Sequence, residues 1–150
     1  MKIIALNKRA THDYEILERF EAGIVLNGNE IKSVRSGKVQ LTDSFAIVKD
    51  GELLLLNCHI TPYSHAAIRD DNATRTRHLL MHRREIDRLE GAISRKGLTI
   101  VTLKMYLNGK NYAKVEIATA RHKKLIDKRE SLKSRDLKRE ASRDLKINIK

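Results

Sequence analysis

A pair of histidines with a nearby glutamate is the strongest candidate for metal chemistry in the sequence. His78 and His82 are four residues apart, and Glu85 follows three residues later. On a helix this spacing places two imidazoles on one side, where they can share a zinc ion. Arg77 and Arg83 flank the pair, however, so their charge repels a divalent cation, and no third ligand is predicted to converge. We therefore expect solvated histidines and no metal site.

The remaining bases and nucleophiles form no recognisable catalytic set. His12 and Asp13 have the types required for a general base and its orienting carboxylate, but their basic surroundings favour contact with phosphate or ribose. Cys58 is the only cysteine, which excludes an intramolecular disulfide and a cysteine-rich zinc site. The seven glycines are dispersed and form no glycine-rich phosphate loop. The sequence thus predicts a protein that is not an enzyme and binds no cofactor.

The charge of the chain indicates a polyanionic partner. Its 150 residues include 31 Lys and Arg against 19 Asp and Glu, a net charge of +12. Such a basic balance is typical of proteins that bind nucleic acid or an acidic membrane face. No apolar run approaches the roughly 18 residues of a membrane span, and the N-terminal apolar stretch is too short for a secretory signal. The expected location is the cytoplasm, and no membrane partner is expected.

The cations gather in particular parts of the chain. Donors and charge collect before the first predicted strand, at Asn7, Lys8, Arg9 and His12. A second group surrounds a long predicted loop over residues 61–77 and comprises Arg69, Arg75, Arg77, Arg83 and Arg84. With two Phe, four Tyr and no Trp, the chain offers few platforms for stacking unpaired bases. A structured RNA, bound through phosphates, 2′-hydroxyls and shape, is therefore favoured over a single strand.

Alternating apolar residues predict a body made mostly of β-strands. The predicted strands are residues 14–20, 23–26, 41–49, 52–58, 101–107 and 113–117, and the predicted helices are 28–35 and 83–96. Asp50-Gly51 and Asn108-Gly109 are typical hairpin turns, and Gly97 suits the end of the second helix. The predicted fold class is mainly β: a small closed barrel related to the oligonucleotide-binding (OB) fold, with flanking helices and a basic C-terminal tail.

The last 30 residues differ in composition from the first 120. Residues 121–150 hold twelve Lys or Arg and five Asp or Glu, a net charge of +7, and contain no glycine, proline or aromatic residue. The string Ser-Arg-Asp-Leu-Lys begins at Ser134 and again at Ser142, a period close to two helical turns. The apolar stripe of such a helix is too narrow to pack on a core. We expect an RNA-binding domain over 1–120 and a basic tail over 121–150 that is disordered when free and becomes helical when it meets a partner.

Several segments of the chain resemble the SsrA-binding protein (SmpB) family. They are Asn7-Lys8-Arg9-Ala10 with His12-Asp13-Tyr14, Phe20-Glu21-Ala22-Gly23, the run from Glu30 to Lys38, Thr74-Arg75-Thr76-Arg77, Arg84-Glu85-Ile86-Asp87-Arg88-Leu89, Ala113-Lys114-Val115-Glu116, Lys123-Lys124 and Asp127-Lys128-Arg129-Glu130. These segments follow the order of the family over essentially the whole chain. The resemblance implies a barrel related to the OB fold and a basic tail that is disordered in the free protein.

The same resemblance implies a function in trans-translation. Members of this family bind the tRNA-like domain of transfer-messenger RNA and stand in for the anticodon arm that this RNA lacks. The implied partners are this RNA, the decoding centre and mRNA channel of the small ribosomal subunit, and elongation factor Tu-GTP through the RNA. At a stalled ribosome the tail would fold into a helix in the empty mRNA channel. A degradation tag would then be added. No covalent chemistry by the protein itself is implied.

Taken with the charge pattern, the resemblance implies two sets of functional residues. The RNA-facing set comprises Asn7, Lys8, Arg9, His12, Glu21, Arg75, Arg77, Leu80 and Lys114. The set in the tail that faces the ribosome comprises Lys123, Lys124, Asp127, Lys128, Arg129, Arg135 and Arg139. The first set is expected to recognise a folded RNA, and the second to meet ribosomal RNA phosphates.

Two other classes of protein fit part of the sequence. A small basic ribosomal or ribosome-assembly protein explains the charge, the size and the barrel, and it would sediment with ribosomes without transfer-messenger RNA. A metal-dependent nuclease requires His78 and His82 as ligands, which a metal analysis of the purified protein would test. The family resemblance favours transfer-messenger RNA binding over the ribosomal protein, and both over the nuclease.

Overall fold

A computed structural model describes residues 1–62 and 72–123, and these residues form a mainly β structure with helices packed beside it. Its strands are β1 (Lys2–Leu6), β2 (Tyr14–Ile24), β3 (Val39–Gln40), β4 (Phe45–Lys49), β5 (Glu52–Leu56), β6 (His59–Ile60), β7 (Arg77–Leu80), β8 (Thr99–Leu107) and β9 (Ala113–His122). Its helices are α1 (Lys8–Asp13), α2 (Gly28–Arg35) and α3 (Arg83–Lys96).

Seven of the strands form one antiparallel sheet in the order β1-β8-β4-β5-β7-β2-β9, and β3 pairs with β6 separately. β9 pairs with β2 along one edge and with β8 along the other. One edge of the long strand β8 serves two partners, since β4 pairs near Val101 and β1 pairs from Lys104 onward. The adjacent strands β2, β9 and β8 therefore present one continuous three-stranded surface.

The core is filled by the inward side of the strands and by one side of each longer helix. Leu55 of β5, Met105 of β8 and Ile117 of β9 are completely buried. Val34 of α2 and Leu89 of α3 are also completely buried, so both helices are anchored on the same core. Burying side chains of this size stabilises the folded chain by roughly 1.5–3 kcal/mol each.

The first predicted hairpin is confirmed, whereas the second has a wider turn than its sequence indicates. Asp50 and Gly51 have φ values of 53° and 77°, the left-handed conformation that both central residues of a tight hairpin turn require. Between β8 and β9 the turn instead spans Asn108 to Tyr112, with the left-handed residue at Asn111. The side chain of Asn108 accepts hydrogen bonds from the backbone of Lys110 and Tyr112, which stabilises the longer loop.

Both predicted helices are confirmed, and their ends follow local capping rules. The side chain of Asn27 accepts from the backbone of Glu30, whose own carboxylate accepts from the backbone of Asn27, a capping box at the start of α2. α3 ends where Gly97 adopts a φ of 64° and donates to Ile93. Among the helices in the described ranges, none has the length and apolarity to cross a bilayer.

Other boundaries differ from the sequence-based prediction. The predicted strand at 41–49 begins only at Phe45, because the backbone and hydroxyl of Ser44 both donate to the carbonyl of Leu41 and form a turn there. The two segments predicted at 14–20 and 23–26 are one strand, β2. The elements that were not predicted are β1, β3, β6, β7 and α1. Within the predicted loop at 61–77, residues 63–71 lie outside the described residues.

Candidate RNA interface

Six side chains lie on the outer side of the surface formed by β2, β9 and β8. They are Arg19 and Glu21 of β2, Lys104 and Tyr106 of β8, and Lys114 and Glu116 of β9. The residues that alternate with them, Ala22, Met105 and Val115, belong to the core, as the two-residue period of a strand requires. We call these six residues the outer face.

Glu116 is the centre of an ion network on the outer face. The register places it beside Glu21 of β2 and Lys104 of β8. Its carboxylate accepts a hydrogen bond from Nη1 of Arg19 at 3.0 Å and lies 3.5 Å from Nζ of Lys104. The side chain of Arg19 remains 61% exposed despite this contact. Glu116 therefore holds two cations close together while leaving one of them open to a ligand.

Glu21 has a different kind of partner, the buried phenol of Tyr106. The hydroxyl of Tyr106 donates a hydrogen bond to Oε2 of Glu21 across β9. Burial raises the pKa of Tyr106, and the hydrogen bond to Glu21 and the negative charges of Glu21 and Glu116 raise it further. The phenol is therefore protonated at physiological pH and acts as the donor. Nζ of Lys104 lies 5.6 Å from the centroid of the same ring.

A groove of about 430 Å³ adjoins the outer face next to Lys114. It is lined by Gly23, Ile24, Leu26, Asn27, Gly28, Ile31, Arg35, Leu80, Asn111, Tyr112, Ala113 and Lys114. Leu80 is 60% exposed and Tyr112 is 63% exposed, so two large apolar surfaces face solvent there. Arg35 and Lys114 add positive charge. Apolar walls with flanking cations suit an RNA, whose bases and sugars are apolar in part and whose phosphates are anionic.

Gly23 sets the close approach of Leu80 to β9 in this groove. A Cβ at Gly23 would lie 3.4 Å from Cβ of Leu80 and 3.8 Å from Nζ of Lys114. Gly23 also pairs with Leu80 on one side and Lys114 on the other. The apolar side chain and the ammonium group are therefore held side by side.

A second groove, of about 270 Å³, adjoins the other end of the outer face. Its lining includes Lys8 of α1 and Leu6 of β1 together with Arg19, Lys104 and Glu116 of the outer face. Three cations thus surround a short apolar floor. Because the two grooves are joined by the outer face, the whole surface can follow an extended segment of RNA backbone.

Asn7 holds α1 in place from inside the protein. Its Nδ2 donates to the carbonyls of Leu41 and Thr102 at 3.0 and 2.9 Å, and its Oδ1 accepts from the backbone of Ala10 as the N-cap of α1. Its backbone donates to Leu103 at 2.8 Å. Asn7 is buried, so its side chain positions Lys8 rather than reaching a ligand itself.

The end of α1 lies beside the point where the chain leaves β9. Arg9 lies 3.5 Å from Asp13, and Nδ1 of His12 lies 2.9 Å from the same carboxylate. The backbone of Lys123 donates to the carbonyl of Asp13 at 2.9 Å, and its Nζ donates to Thr11 at 3.4 Å. Both Arg9 and His12 are exposed. The start of the tail is therefore next to two cationic or titratable side chains of α1.

Arg77 is fully buried and belongs to an ion network around Glu30. Its Nε donates to Oε2 of Glu30 and its Nη1 to the carbonyl of Cys58, both at 2.6 Å, and its Nη2 donates to Ala73 at 3.0 Å. Arg75 donates to both carboxylate oxygens of Glu30, through Nε at 3.1 Å and through Nη2. The two arginines therefore join the segment before β7 to the first turn of α2.

The charge of Glu30 is maintained by these partners. Burial raises the pKa of Glu30, but hydrogen bonds from Arg75, from the backbone of Asn27 and from Arg77, together with the charge of Arg77, outweigh burial and leave the pKa below its ordinary value. Glu30 is thus a carboxylate at neutral pH, as a buried ion pair requires. This role of Glu30 could not be predicted from the sequence, since a carboxylate at the third position of a helix also fits a simple capping box.

The histidine pair is not arranged as a metal site. His78 lies on β7 with its Nδ1 3.7 Å from Glu52, and His82 is the residue before α3, so the two are not one turn apart on a helix. Across residues 1–62 and 72–123, no group of three or more His, Cys, Asp or Glu side chains is placed to hold a metal. Burial raises the pKa of the Cys58 thiol to about 11, so this cysteine is a protonated core residue.

The structure brings four of the sequence-predicted RNA-facing residues to one surface: Lys8, Glu21, Leu80 and Lys114. Arg9 and His12 lie on the helix that carries Lys8. The side chains of Asn7, Arg75 and Arg77 are engaged in bonds that hold elements together. Of the tail set only Lys123 is described, and Lys124, Asp127, Lys128, Arg129, Arg135 and Arg139 lie outside the described residues.

Sequence reasoning missed Arg19, Lys104, Tyr106 and Tyr112 as members of this surface. The alternation of Lys104 and Tyr106 with apolar neighbours was a usable signal, because it places both on the solvent side of β8. The sequence predicted the hairpin of β8 and β9, but its register, which places Tyr106 opposite Lys114, depends on the longer turn and was not predicted. Tyr112 was missed because the turn was expected to end at Gly109.

Comparison with known proteins gives a match over almost the whole length. The model of the SmpB protein family matches residues 4–147. The chain belongs to the SmpB family. The SsrA-binding protein of Sulfurihydrogenibium sp. (strain YO3AOP1) is 52% identical over 150 residues, covering 99% of this chain and 97% of that protein. The SsrA-binding protein of Coprothermobacter proteolyticus is 49% identical over 149 residues, covering 98% of this chain and 99% of that protein.

A solved structure of a family member has a similar fold. A chain from a study described as "tmRNA-SmpB: a journey to the center of the bacterial ribosome" superposes with a TM-score of 0.69 and is 49% identical. The alignment covers 85% of this chain and 93% of that chain. The identity of about 50% over most of the chain confirms the family resemblance that the sequence motifs indicated.

Proposed function

We propose that this chain binds the tRNA-like domain of transfer-messenger RNA and delivers it to stalled ribosomes for rescue and peptide tagging. The observation that carries the proposal is the convergence of Lys8, Glu21, Leu80 and Lys114 on one basic, partly apolar surface. These residues come from α1, β2, β7 and β9, so the fold is required to assemble them. Relatives about 50% identical are named for SsrA binding, and the structural neighbour is described with tmRNA.

The proposed interface divides its residues into contacts and supports. Lys8, Arg9, His12 and Lys114 supply donors and charge for phosphates, while Leu80 packs against bases or sugars. Glu21 accepts hydrogen bonds. The supporting residues are Asn7, Arg75 and Arg77, whose bonds position α1, β7 and α2. RNA affinity should therefore respond to the first group directly and to the second through stability.

The proposal includes a closed barrel related to the OB fold. It is supported by the strand pairings, because the series β8, β4, β5, β7, β2 and β9 returns to β8 through the pairing of β9 with β8. In a closed pairing order each of these six strands has a partner on both sides, and β2 meets β7 at Gly23 and Ile24. The outer face then lies on the outside of the barrel wall, where a bulky folded RNA can reach it.

The tail is proposed to act on the ribosome. Residues 121–150 carry a net charge of +7. Lys123, near the beginning of this range, lies beside α1. Lys123, Lys124, Asp127, Lys128 and Arg129 would face the decoding centre, with Arg135 and Arg139 farther along the empty mRNA channel. Elongation factor Tu-GTP would join through the RNA, the site of action would be the cytoplasm, and the protein itself would catalyse no covalent step.

The test is a binding titration of the full chain with two RNAs at about 0.15 M salt, where surface charge is screened beyond about 8 Å. The proposal predicts much tighter binding of the tRNA-like domain of transfer-messenger RNA than of an ordinary tRNA. Equal affinities would contradict it and would favour the alternative of a generic rRNA-binding ribosomal or assembly protein. Low salt is avoided because counterion release makes any protein with this charge bind any RNA.

A further inference from the structure

The contact between Tyr106 and Glu21 places an uncompensated carboxylate on a surface that also carries Arg19, Lys104 and Lys114. Glu116, on the same face, is compensated by Arg19 and Lys104. Glu21 is within ion-pair distance of no cation among residues 1–62 and 72–123, and its side-chain hydrogen-bond partner there is the neutral phenol of Tyr106. A phenol that is 6% exposed gives the carboxylate a fixed direction without neutralising it.

A carboxylate can only accept hydrogen bonds, and RNA phosphates are acceptors too. Glu21 therefore repels the backbone and attracts the uncharged donors of RNA, which are base N–H groups and the ribose 2′-hydroxyl. Its Oε2 is directed by Tyr106, so Oε1 and the remaining lone pair of Oε2 are available to a ligand. Lys114 is next to Tyr106 in the register and can hold a neighbouring phosphate.

Resting on the function proposed above, we infer that Tyr106 is a positioning residue that fixes Glu21 to read an uncharged hydrogen-bond donor of the bound RNA. In this arrangement the cations around it supply affinity, and the Tyr106–Glu21 pair supplies selectivity. An RNA without a donor at that position leaves the carboxylate of Glu21 desolvated and without a hydrogen bond. This costs more binding free energy than the missing hydrogen bond alone.

The test measures binding of the tRNA-like domain by the full chain and by Tyr106→Phe, Glu21→Gln and the double variant. Tyr106→Phe removes one hydroxyl and keeps the ring that fills the site. Without the phenol, Glu21 must be ordered when the RNA binds, which is expected to weaken binding by up to about tenfold. Because the phenol acts only through Glu21, the double variant should bind no more weakly than Glu21→Gln alone.

Two further readouts separate positioning from a purely structural role. Tyr106→Phe should keep the wild-type dependence of affinity on salt, whereas Lys114→Ala should lower the slope by about one because it removes a phosphate contact. Tyr14→Phe is the matched control, since Tyr14 also lies on this sheet but its ring contacts His122 instead. It should bind as the wild type does.

The source of the donor is distinguished with substituted RNAs. Single nucleoside changes that each delete one base N–H donor, such as guanosine to inosine or adenosine to purine riboside, are made at every base, and single 2′-deoxy changes remove each hydroxyl. If one such change weakens binding to wild type but not to Tyr106→Phe, the inference is supported and the donor is identified. If no change in the RNA behaves in this way, the inference is wrong. It is also wrong if the loss of RNA affinity in the double variant equals the product of the losses in Tyr106→Phe and Glu21→Gln. A wild type that fails to prefer the tRNA-like domain would instead contradict the proposed function.

Discussion

Individual arginines in this chain have opposite roles although their type is the same. Arg19 is exposed on the outer face, where a ligand can reach it, whereas Arg77 is fully buried and bonded to Glu30, Cys58 and Ala73. The sequence predicted Arg77 as RNA-facing because its neighbours are basic. Guanidinium groups bind phosphates and buried carboxylates equally well, so the residue type does not distinguish the two roles. For Arg77 the position of Glu30 on α2 determines the role.

The first prediction concerns the two arginines that share Glu30. Arg77→Met removes the buried guanidinium, takes one hydrogen-bond donor each from Glu30 and from the carbonyls of Cys58 and Ala73, and should lower the free energy of unfolding by about 3–5 kcal/mol. Arg75→Met is the matched variant and should cost clearly less, because the Arg75 side chain is 28% exposed and water can replace it. Urea denaturation measures both. Equal losses would show that Arg77 is not the principal partner.

The second prediction is a pH dependence of stability that comes from Glu30. Its pKa is below the ordinary value of 4.5 in the folded chain, so the folded state favours the carboxylate. The stabilisation is fully present above pH 4.5 and is lost as the pH falls through the lower folded pKa. Glu30→Gln should therefore be destabilised relative to wild type at pH 7, and the difference should shrink towards pH 3. A difference that stays constant over this range would contradict the assignment.

Among the secondary-structure elements, those whose own residues determine their conformation were predicted correctly from local sequence signals. α3 has its apolar residues at helical spacing and ends at Gly97, and the Asp50-Gly51 turn requires residues that tolerate positive φ. β1, β3 and β6 are short and gain their structure from distant partners. Their pairing cannot be deduced from a window of a few residues, because long-range hydrogen bonds decide it.

The third prediction compares two glycines in different elements. Gly51→Ala should lower the free energy of unfolding by about 1–2 kcal/mol, because a side chain at positive φ is strained, and the new Cβ would lie 2.6 Å from Nη1 of Arg83. Gly91→Ala is the counterpart within α3, where an added Cβ has no atom within 4 Å. It should raise stability by up to about 1 kcal/mol, since alanine favours helix.

Thermal or urea unfolding of the two variants tests this comparison. A neutral Gly51→Ala variant would mean that the β4–β5 turn relaxes into another conformation. A destabilised Gly91→Ala variant would mean that this side of α3 is covered by another part of the chain. Each variant therefore tests one element, and neither variant changes a residue of the outer face.

For the whole molecule, fold class and family followed from the sequence, whereas the interface did not follow in full. Alternating apolar residues predicted a mainly β body, and the motifs in register indicated the SmpB family. The outer face depends on the order of β2, β9 and β8, which no local pattern encodes. Lys8, Glu21, Leu80 and Lys114 could be named by resemblance, but their supports, Tyr106 and Glu116, required the register.

The body also extends beyond the domain boundary expected at residue 120. β9 continues to His122, whose ring contacts Tyr14 edge-on at 5.0 Å between centroids, and Arg121 pairs with Glu15. Lys123 is bonded to Asp13. A chain shortened after Lys123 therefore keeps every contact of β9 with β2 and α1, and it separates the body from the tail more cleanly than one ending at Ala120.

The proposed function assigns RNA recognition to the body and the action on the ribosome to the tail. It is tested most directly by comparing the full chain with the chain that ends after Lys123, in RNA binding and in tag addition to stalled ribosomes. We expect both chains to prefer the tRNA-like domain over tRNA to the same degree, and we expect tagging to be lost in the shortened chain alone. A shortened chain that loses this preference, or that supports full tagging, would contradict it.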